Sequence, residues 1–243
     1  MRTLEQLRSQ DFAASLDFFG ETTTDQRQVE RVVAGYREAA AAVASMDGDV
    51  YLEVVPSHLG IDISVDMFRH YAAEIVSALP RGSRLQLSAE ESRRTDRIIN
   101  GCLALARDGA PVQVTLQANL RRSPHDADRL IEAGIPVRIV KGAYVEAPDM
   151  ALPWGDPTDA AFAQLVHKIS AAGVQVAIGT HDPVLRERLL ATASNLRVEM
   201  LLGVRPDDAI DLVRRGHQVR IYVAYGDGWF RYWLRRVAES RGA

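Results

Sequence analysis

Short apolar runs alternate with longer amphipathic segments along the whole chain. The runs are rich in Val, Ile and Leu, and they have the length of buried strands in a sheet. They predict eight β-strands, at residues 14–19, 50–55, 84–87, 112–116, 137–140, 174–178, 196–201 and 218–223.

The segments between these runs have the apolar spacing of amphipathic helices. They predict helices at residues 24–45, 64–79, 89–107, 123–133, 158–172, 183–193 and 205–215. Capping side chains mark the starts of three of them, at Ser64, at Ser123 before Pro124, and at Asp182 before Pro183. Glycines are expected to end several others, at Gly109, Gly134, Gly173 and Gly216.

The alternation of strands and helices predicts an α/β fold with a parallel sheet. Eight strands with helices between them make a (βα)8 barrel of the TIM type, and 243 residues suit one barrel domain over residues 1–243. A doubly wound open sheet is the alternative. Because no Gly-x-Gly-x-x-Gly turn follows an early strand, the barrel is the predicted architecture.

Composition narrows the classes of partner. The net charge is -3 and no run of Lys or Arg is concentrated, so nucleic acid is not expected as a partner. The single cysteine, Cys102, excludes an internal disulfide and a cysteine-based zinc site, and no metal is expected. No apolar segment approaches about 18 residues and no signal peptide pattern is present, so we expect a cytoplasmic protein without a transmembrane segment.

In a parallel barrel the carboxyl ends of the strands form the ligand-binding edge. The fifth predicted strand ends there in Lys141 and Gly142, a cation and a flexible turn that suit an anionic or electron-rich ligand. Other strands run into Pro56-Ser57-His58, Ser88-Ala89-Glu90, Gln117-Ala118-Asn119, Thr180-His181-Asp182 and Tyr222 to Gly226. We expect these residues to line one mouth.

The last predicted helix, residues 229–239, has an unusually polar face. Its positions i, i+3, i+4 and i+7 are occupied by Tyr232, Arg235, Arg236 and Glu239. Paired guanidinium groups beside an aromatic ring can bind a carboxylate or a phosphate through bidentate hydrogen bonds.

As a set, these residues resemble the proline dehydrogenase family. The matching motifs are Arg138-x-x-Lys141-Gly142-Ala143-Tyr144, Gln117-Ala118, Thr180-His181, Met200-Leu201-x-Gly203, Tyr222-x-x-Tyr225-Gly226 and Tyr232-x-x-Arg235-Arg236. Residues 16–21 resemble the family's opening strand, and Leu59-Gly60 its second βα loop. The motifs follow the family's order over nearly the whole chain.

The resemblance implies a flavoenzyme that uses FAD on a distorted (βα)8 barrel, with the last helix over the barrel mouth. Arg138 resembles the arginine near the flavin N5, and it is an implied catalytic position together with Tyr222. The implied FAD-binding positions are Gln117, Arg138, Lys141, Gly142, Ala143, Thr180, His181 and Ala89. The implied substrate-binding positions are Arg235, Arg236, Tyr232, Leu201, Ser88 and Val55.

Within that set, the resemblance assigns Arg235 and Arg236 to the carboxylate of a small amino-acid-like substrate. The electron acceptor, quinone or oxygen, is left open. Gly142→Val is expected to abolish flavin binding while leaving the fold intact. If Arg138 does not tune the flavin, we expect it to pair with Glu146.

Two positions depart from the family pattern. The second strand normally carries a lysine where this chain has Val55, and the third an aspartate where it has Ser88. Losing one member of a buried ion pair costs roughly 3–5 kcal/mol, whereas losing both can be nearly neutral. The paired loss therefore predicts a re-tuned pocket that accepts a larger or N-substituted amino acid better than proline.

Three functions follow from these observations. The leading one is flavin-dependent dehydrogenation of proline, or of a related cyclic or N-substituted amino acid, at the C–N bond. The second is a flavin-binding barrel of the same family without turnover. The third is an aldolase-type barrel in which Lys141, desolvated beside Arg138, has a lowered pKa and forms a Schiff base.

Overall fold

The computed structural model describes residues 2–18, 20, 22–44 and 49–226. The strands are β1 (Ala13–Phe18), β2 (Val50–Val54), β3 (Leu85–Leu87), β4 (Val112–Gln117), β5 (Val137–Val140), β6 (Val176–Gly179), β7 (Leu196–Leu201) and β8 (Gln218–Tyr225). The helices are α1 (Arg2–Arg8), α2 (Gln26–Ala44), α3 (Val65–Ser77), α4 (Ser92–Arg107), α5 (Ser123–Glu132), α6 (Asp156–Ala171), α7 (Pro183–Thr192) and α8 (Pro206–Arg214). A short 3₁₀ helix at Pro56–Leu59 follows β2.

The eight strands follow one another in chain order and close into a barrel. Closure occurs where β8 pairs in parallel with β1, with Ser15 opposite Tyr222. The predicted (βα)8 fold is therefore confirmed, and the open sheet is excluded. Every predicted strand is present, with differences only at its ends.

The chain divides into two compact units, which are described separately below. The first unit contains residues 1–85 and the residues from Met200 onward, and the second contains residues 86–199. In the first unit, β1 pairs with β2 and with β8. In the second unit, β5 pairs in parallel with β4 and with β6. The assignment of residues 1–243 to a single domain stays a prediction.

The strands of the second unit are buried on both faces. Along β4, the apolar Val114 and Leu116 alternate with polar residues, and all of them are buried. The buried polar positions of this strand are Gln113, Thr115 and Gln117. Because a buried polar group without a partner is costly, one face of the sheet must carry a connected set of hydrogen bonds.

Helix ends confirm most of the predicted caps. The Ser64 hydroxyl accepts a hydrogen bond from the Met67 backbone N–H at the start of α3. The Asp182 carboxylate accepts hydrogen bonds from the N–H groups of Val184 and Leu185, at 3.0 and 3.1 Å, at the start of α7. The four predicted terminal glycines all have positive φ, as expected where a helix ends in the left-handed conformation.

Three helix predictions were wrong in detail. Ser123 is not a cap, because it lies inside α5 and its hydroxyl donates to the Gln117 carbonyl at the end of β4. Helix α4 begins at Ser92 rather than at residue 89, since its first backbone N–H is already bound by the Glu146 carboxylate. Helix α1 was not predicted. Its seven residues contain only two buried side chains, Leu4 and Leu7, which are too few to establish an apolar period.

A buried arginine ties together the amino ends of the first unit's strands. Arg220 of β8 is 1% exposed, and its guanidinium donates to the Ala14 carbonyl at 2.6 Å and to Asp49 Oδ1 at 2.8 Å. The same group lies 3.5 Å from the ring centroid of Tyr51, a cation–π distance. Arg220 therefore has a structural role at the end of the strands opposite the expected mouth. In the part of the chain described, no helix combines the length and hydropathy of a membrane-spanning segment.

Candidate functional site

The cation at the end of β5 is held by two carboxylates. Lys141 Nζ lies 2.6 Å from Asp159 Oδ1 and 3.1 Å from Asp182 Oδ2. Partial burial lowers the pKa of Lys141, but attraction to the two carboxylates outweighs burial and leaves the pKa above its ordinary value. The ammonium is therefore charged at neutral pH. The predicted lowering of its pKa was wrong, and the Schiff-base alternative loses its chemical basis.

The turn after Lys141 requires glycine. Gly142 has φ +122°, and a Cβ there would overlap with Asn119 Oδ1. Asn119 is 3% exposed, and its Oδ1 has no hydrogen-bond partner among the described residues. A side chain at this position would meet a buried amide, so we expect Gly142→Val to destabilise the fold as well as to reduce flavin binding.

Arg138 is a buried and fixed cation on β5. It is 8% exposed, and its Nε donates to Thr115 Oγ1 at 3.0 Å on the neighbouring strand. Its Nη1 lies 3.2 Å from Glu199 Oε2, and Gln113 Nε2 donates to the other oxygen of the same carboxylate at 3.5 Å. These contacts fix the direction of the guanidinium before any ligand binds, which is the preorganisation that electrostatic catalysis needs.

Glu146 is not the partner of Arg138, and the predicted pairing of these two residues was wrong. The Glu146 carboxylate accepts hydrogen bonds from the backbone N–H of Ser92, at 2.6 Å, and from the Ser92 hydroxyl. This places a negative charge at the amino end of α4, where the helix dipole favours it. The contact attaches the segment after β5 to the start of α4.

The other predicted flavin positions lie at strand ends of the same unit. Gln117 is buried, and its Nε2 donates to the Glu90 carbonyl at 2.9 Å. Thr180 is buried, and its hydroxyl accepts from the Asp182 backbone N–H at 3.2 Å. Ala143 is exposed, and Ser88, Ala89 and His181 are half-buried. Gln117 and Thr180 therefore shape the edge of the sheet through contacts with the backbone.

In the first unit, the structure connects Tyr222 to a residue that the sequence did not single out. The Tyr222 hydroxyl donates to the carboxylate of Asp17 on β1. Asp17 is 4% exposed, whereas Tyr222 is half-buried. Asp17 lies within the motif of residues 16–21, so its position was visible in the sequence, but no local pattern pointed to a bond with β8.

Val55 and Leu201, two predicted substrate positions, are also half-buried in this unit. The Val55 backbone N–H donates to the Tyr36 hydroxyl at 3.3 Å. Leu201 lines a mainly apolar cavity of about 210 Å³ together with Leu7 of α1 and Ile210 of α8. Tyr232, Arg235, Arg236 and the predicted helix at residues 229–239 lie outside the described residues.

His58 is the buried titratable group of the segment after β2. It is 4% exposed, and its Nδ1 lies 3.4 Å from the Tyr36 hydroxyl. Burial lowers the pKa of His58 to about 4, so the imidazole is neutral at neutral pH. Among the described residues, no cluster of three or more His, Cys, Asp or Glu side chains is arranged to hold a metal ion.

Comparison with known proteins matches residues 1–243 to a family model described as proline dehydrogenase. Proline dehydrogenase 1 of Bacillus subtilis subsp. natto is 26% identical over 247 residues, covering 98% of this chain and 82% of that protein. A proline dehydrogenase of Deinococcus radiodurans is 31% identical over 179 residues, covering 68% of this chain and 56% of that protein.

Solved structures show the same fold. Proline utilization A from Bradyrhizobium japonicum superposes with a TM-score of 0.83 at 16% identity, covering 99% of this chain and 30% of that chain. Proline utilization A from Bdellovibrio bacteriovorus, inactivated by N-propargylglycine, gives 0.80 at 18% identity, covering 93% and 29%. This chain thus spans about three tenths of the length of those proteins. At such identities the likeness establishes the barrel fold alone.

Proposed function

Because the chain belongs to the proline dehydrogenase family, we propose that it is an FAD-dependent dehydrogenase of proline or of a related cyclic or N-substituted amino acid. The bond oxidised is the C–N bond of the donor, and the reaction class is oxidation at a CH–NH group. The cytoplasmic location expected from the sequence belongs to the same proposal.

The second unit fits a flavin cofactor. FAD carries a pyrophosphate, and Lys141 supplies a charged ammonium beside a glycine whose positive φ and close approach to Asn119 disfavour any other residue. The buried Asn119 Oδ1 is an acceptor without a donor at the same turn. Lys141, Gly142 and Ala143 would hold the cofactor, with Gln117, Thr180, His181 and Ala89 shaping its surroundings. When bound, the flavin supplies the acceptor for the two electrons removed from the substrate.

The observation that carries the proposal is the fixed guanidinium of Arg138. Removal of a hydride from the substrate adds negative charge to the acceptor, and a preorganised cation in a dry site stabilises that charge. Arg138 is 8% exposed and is held from two sides, by Thr115 and by Glu199. We therefore assign it to charge stabilisation near the flavin N5.

The substrate side of the proposal rests on residues of the first unit and on Ser88. Arg235 and Arg236 would bind the substrate carboxylate, and Tyr222, Tyr232 and Leu201 would contact its ring. Val55 and Ser88 present uncharged groups where the family carries a lysine and an aspartate. A bulkier or N-substituted ring should therefore bind better than proline.

An anaerobic absorbance titration of the purified flavoprotein tests this function. Proline, a six-membered ring homologue and N-methylproline are added in turn, and bleaching of the flavin band reports reduction. We expect faster bleaching with the larger or N-substituted compounds, and gain of proline oxidation in Val55→Lys/Ser88→Asp but in neither single variant. Bound flavin that no donor bleaches would support the flavin-binding barrel without turnover. A colourless protein that takes up no FAD would overturn the proposal.

A further inference from the structure

A half-buried phenol and a buried carboxylate are joined on neighbouring strands of the first unit. Tyr222 of β8 lies opposite Ser15 of β1, and Asp17 lies two residues further toward the carboxyl end. The Tyr222 hydroxyl donates a hydrogen bond to Asp17 Oδ2. Asp17 is 4% exposed, so its carboxylate has little direct contact with solvent.

The groups around this pair favour Asp17 as a proton acceptor. Glu53 of β2 lies opposite Asp17 in the strand register, and both carboxyl groups are buried. Burial first, and then the charge of Asp17, raises the pKa of Tyr36 and of Tyr225 above the ordinary value of 10.0. Those two phenols therefore stay protonated, and neither can accept a proton in place of the Asp17 carboxylate.

Other charged groups of the unit are engaged elsewhere. Arg220 lies on the same strand as Tyr222 but binds Asp49 and the Ala14 carbonyl. His58 lies against Tyr36, and its lowered pKa keeps it neutral. Glu38 of α2 acts on Tyr225, whose hydroxyl donates to the Gly35 carbonyl. The Tyr222–Asp17 hydrogen bond directly connects a half-buried hydroxyl with a buried carboxylate.

We propose that Tyr222 and Asp17 form the proton path for the substrate amine, an inference that rests on the function proposed above. An ammonium has no lone pair with which to form a C=N bond, so one N–H proton must leave before oxidation. That proton passes to Tyr222 Oη while the hydroxyl proton of Tyr222 passes to Asp17. The nitrogen lone pair is then free to form the C=N bond while a hydride leaves a ring carbon bonded to that nitrogen, and bound flavin would supply the acceptor for that hydride. Tyr222 is the residue that touches substrate, and Asp17 acts through it.

The test compares Tyr222→Phe, Asp17→Asn and the double variant with wild type, and uses Tyr71→Phe as a control for the loss of a phenol hydroxyl. Tyr71 is a half-buried phenol of α3 whose ring packs against His70. The anaerobic rate of flavin reduction is measured at saturating substrate from pH 6 to pH 10, with flavin content and thermal unfolding midpoint recorded for each protein. The pH range spans about the interval in which amines lose their protons in water.

We expect each single variant to reduce flavin roughly 10²-fold more slowly at neutral pH, the usual contribution of one positioned proton acceptor. The double variant should be no slower than the slower single variant, because both changes break one path. The deficit should shrink as rising pH deprotonates the amine in solution, and Tyr71→Phe should match wild type. If Asp17→Asn does not fold, Tyr222→Phe carries the same pH prediction.

The outcomes separate this inference from the proposed function. If donors bleach the flavin of the wild-type protein but the variants reduce their flavin equally slowly at every pH, the proton path alone is overturned. Multiplicative losses in the double variant would do the same. A wild-type flavin that no amine donor bleaches at any pH would overturn the proposed function and the path with it.

Discussion

Replacing Gly142 by alanine should destabilise the protein more than the same change at Gly109. Both residues have positive φ, +122° and +84°, so each substitution places a Cβ in a conformation that L-residues avoid. That strain costs roughly 1–2 kcal/mol. At Gly109 the new Cβ meets nothing within 4 Å, whereas at Gly142 it overlaps with Asn119 Oδ1. Overpacking of this kind adds roughly 1–3 kcal/mol. We expect a loss of about 1–2 kcal/mol at Gly109 and about 2–5 kcal/mol at Gly142.

Urea unfolding measures both losses, because the free energy of unfolding follows from the transition midpoint when the slope is unchanged. Gly142→Ala/Asn119→Ala removes the clashing amide, so it should recover roughly 1–3 kcal/mol relative to the sum of the two single variants. Flavin content should fall in Gly142→Ala and stay at the wild-type level in Gly109→Ala. Equal losses at the two glycines, or a double variant that is strictly additive, would refute the reasoning.

Three further results are expected. Since the pKa of His58 falls from 6.5 to about 4 on folding, the unfolded chain binds the extra proton between these values. Stability should therefore fall by about 3 kcal/mol as pH drops through this window. Urea titrations should lose that dependence in His58→Gln and keep it in the surface control His125→Gln. In a dye-coupled measurement, Arg138→Met should lower the flavin reduction potential, whereas Glu199→Gln should raise it. Unchanged potentials in both variants would place Arg138 away from the flavin. Borohydride with a keto acid at neutral pH should leave Lys141 without a mass increase, because its amine is protonated; a trapped adduct would restore the aldolase alternative.

The strands and most helices could be predicted because their signals are local. β5 is a short β-branched run, and Asp182 before Pro183 is a capping pair whose bonds form within three residues. Ser123 before Pro124 has the same local pattern. Its hydroxyl instead donates a hydrogen bond to the Gln117 carbonyl, a contact that a local pattern cannot reveal. Helix α1 is too short to establish a period.

The sequence identified residues of the candidate site but not the side chains to which they bind. Lys141 was visible as a cation at a strand end, yet the sign of its pKa shift depends on Asp159 and Asp182, brought close by the fold. The bond between Tyr222 and Asp17 joins residues separated by 205 positions. Neither pairing follows from a period, a cap or a motif, since each is set by strand register and barrel closure.

The division of the chain has a consequence for synthesis. The second unit, residues 86–199, is continuous, so all of its strands are available before Met200 leaves the ribosome. The first unit contains β1, β2 and β8, so β1 can pair with β2 early, but its other edge waits for β8 while more than half of the chain is made. An unpaired strand edge is a template for pairing with another chain. The period of greatest aggregation risk thus ends with the emergence of β8, and slow translation of residues 86–199 would prolong it.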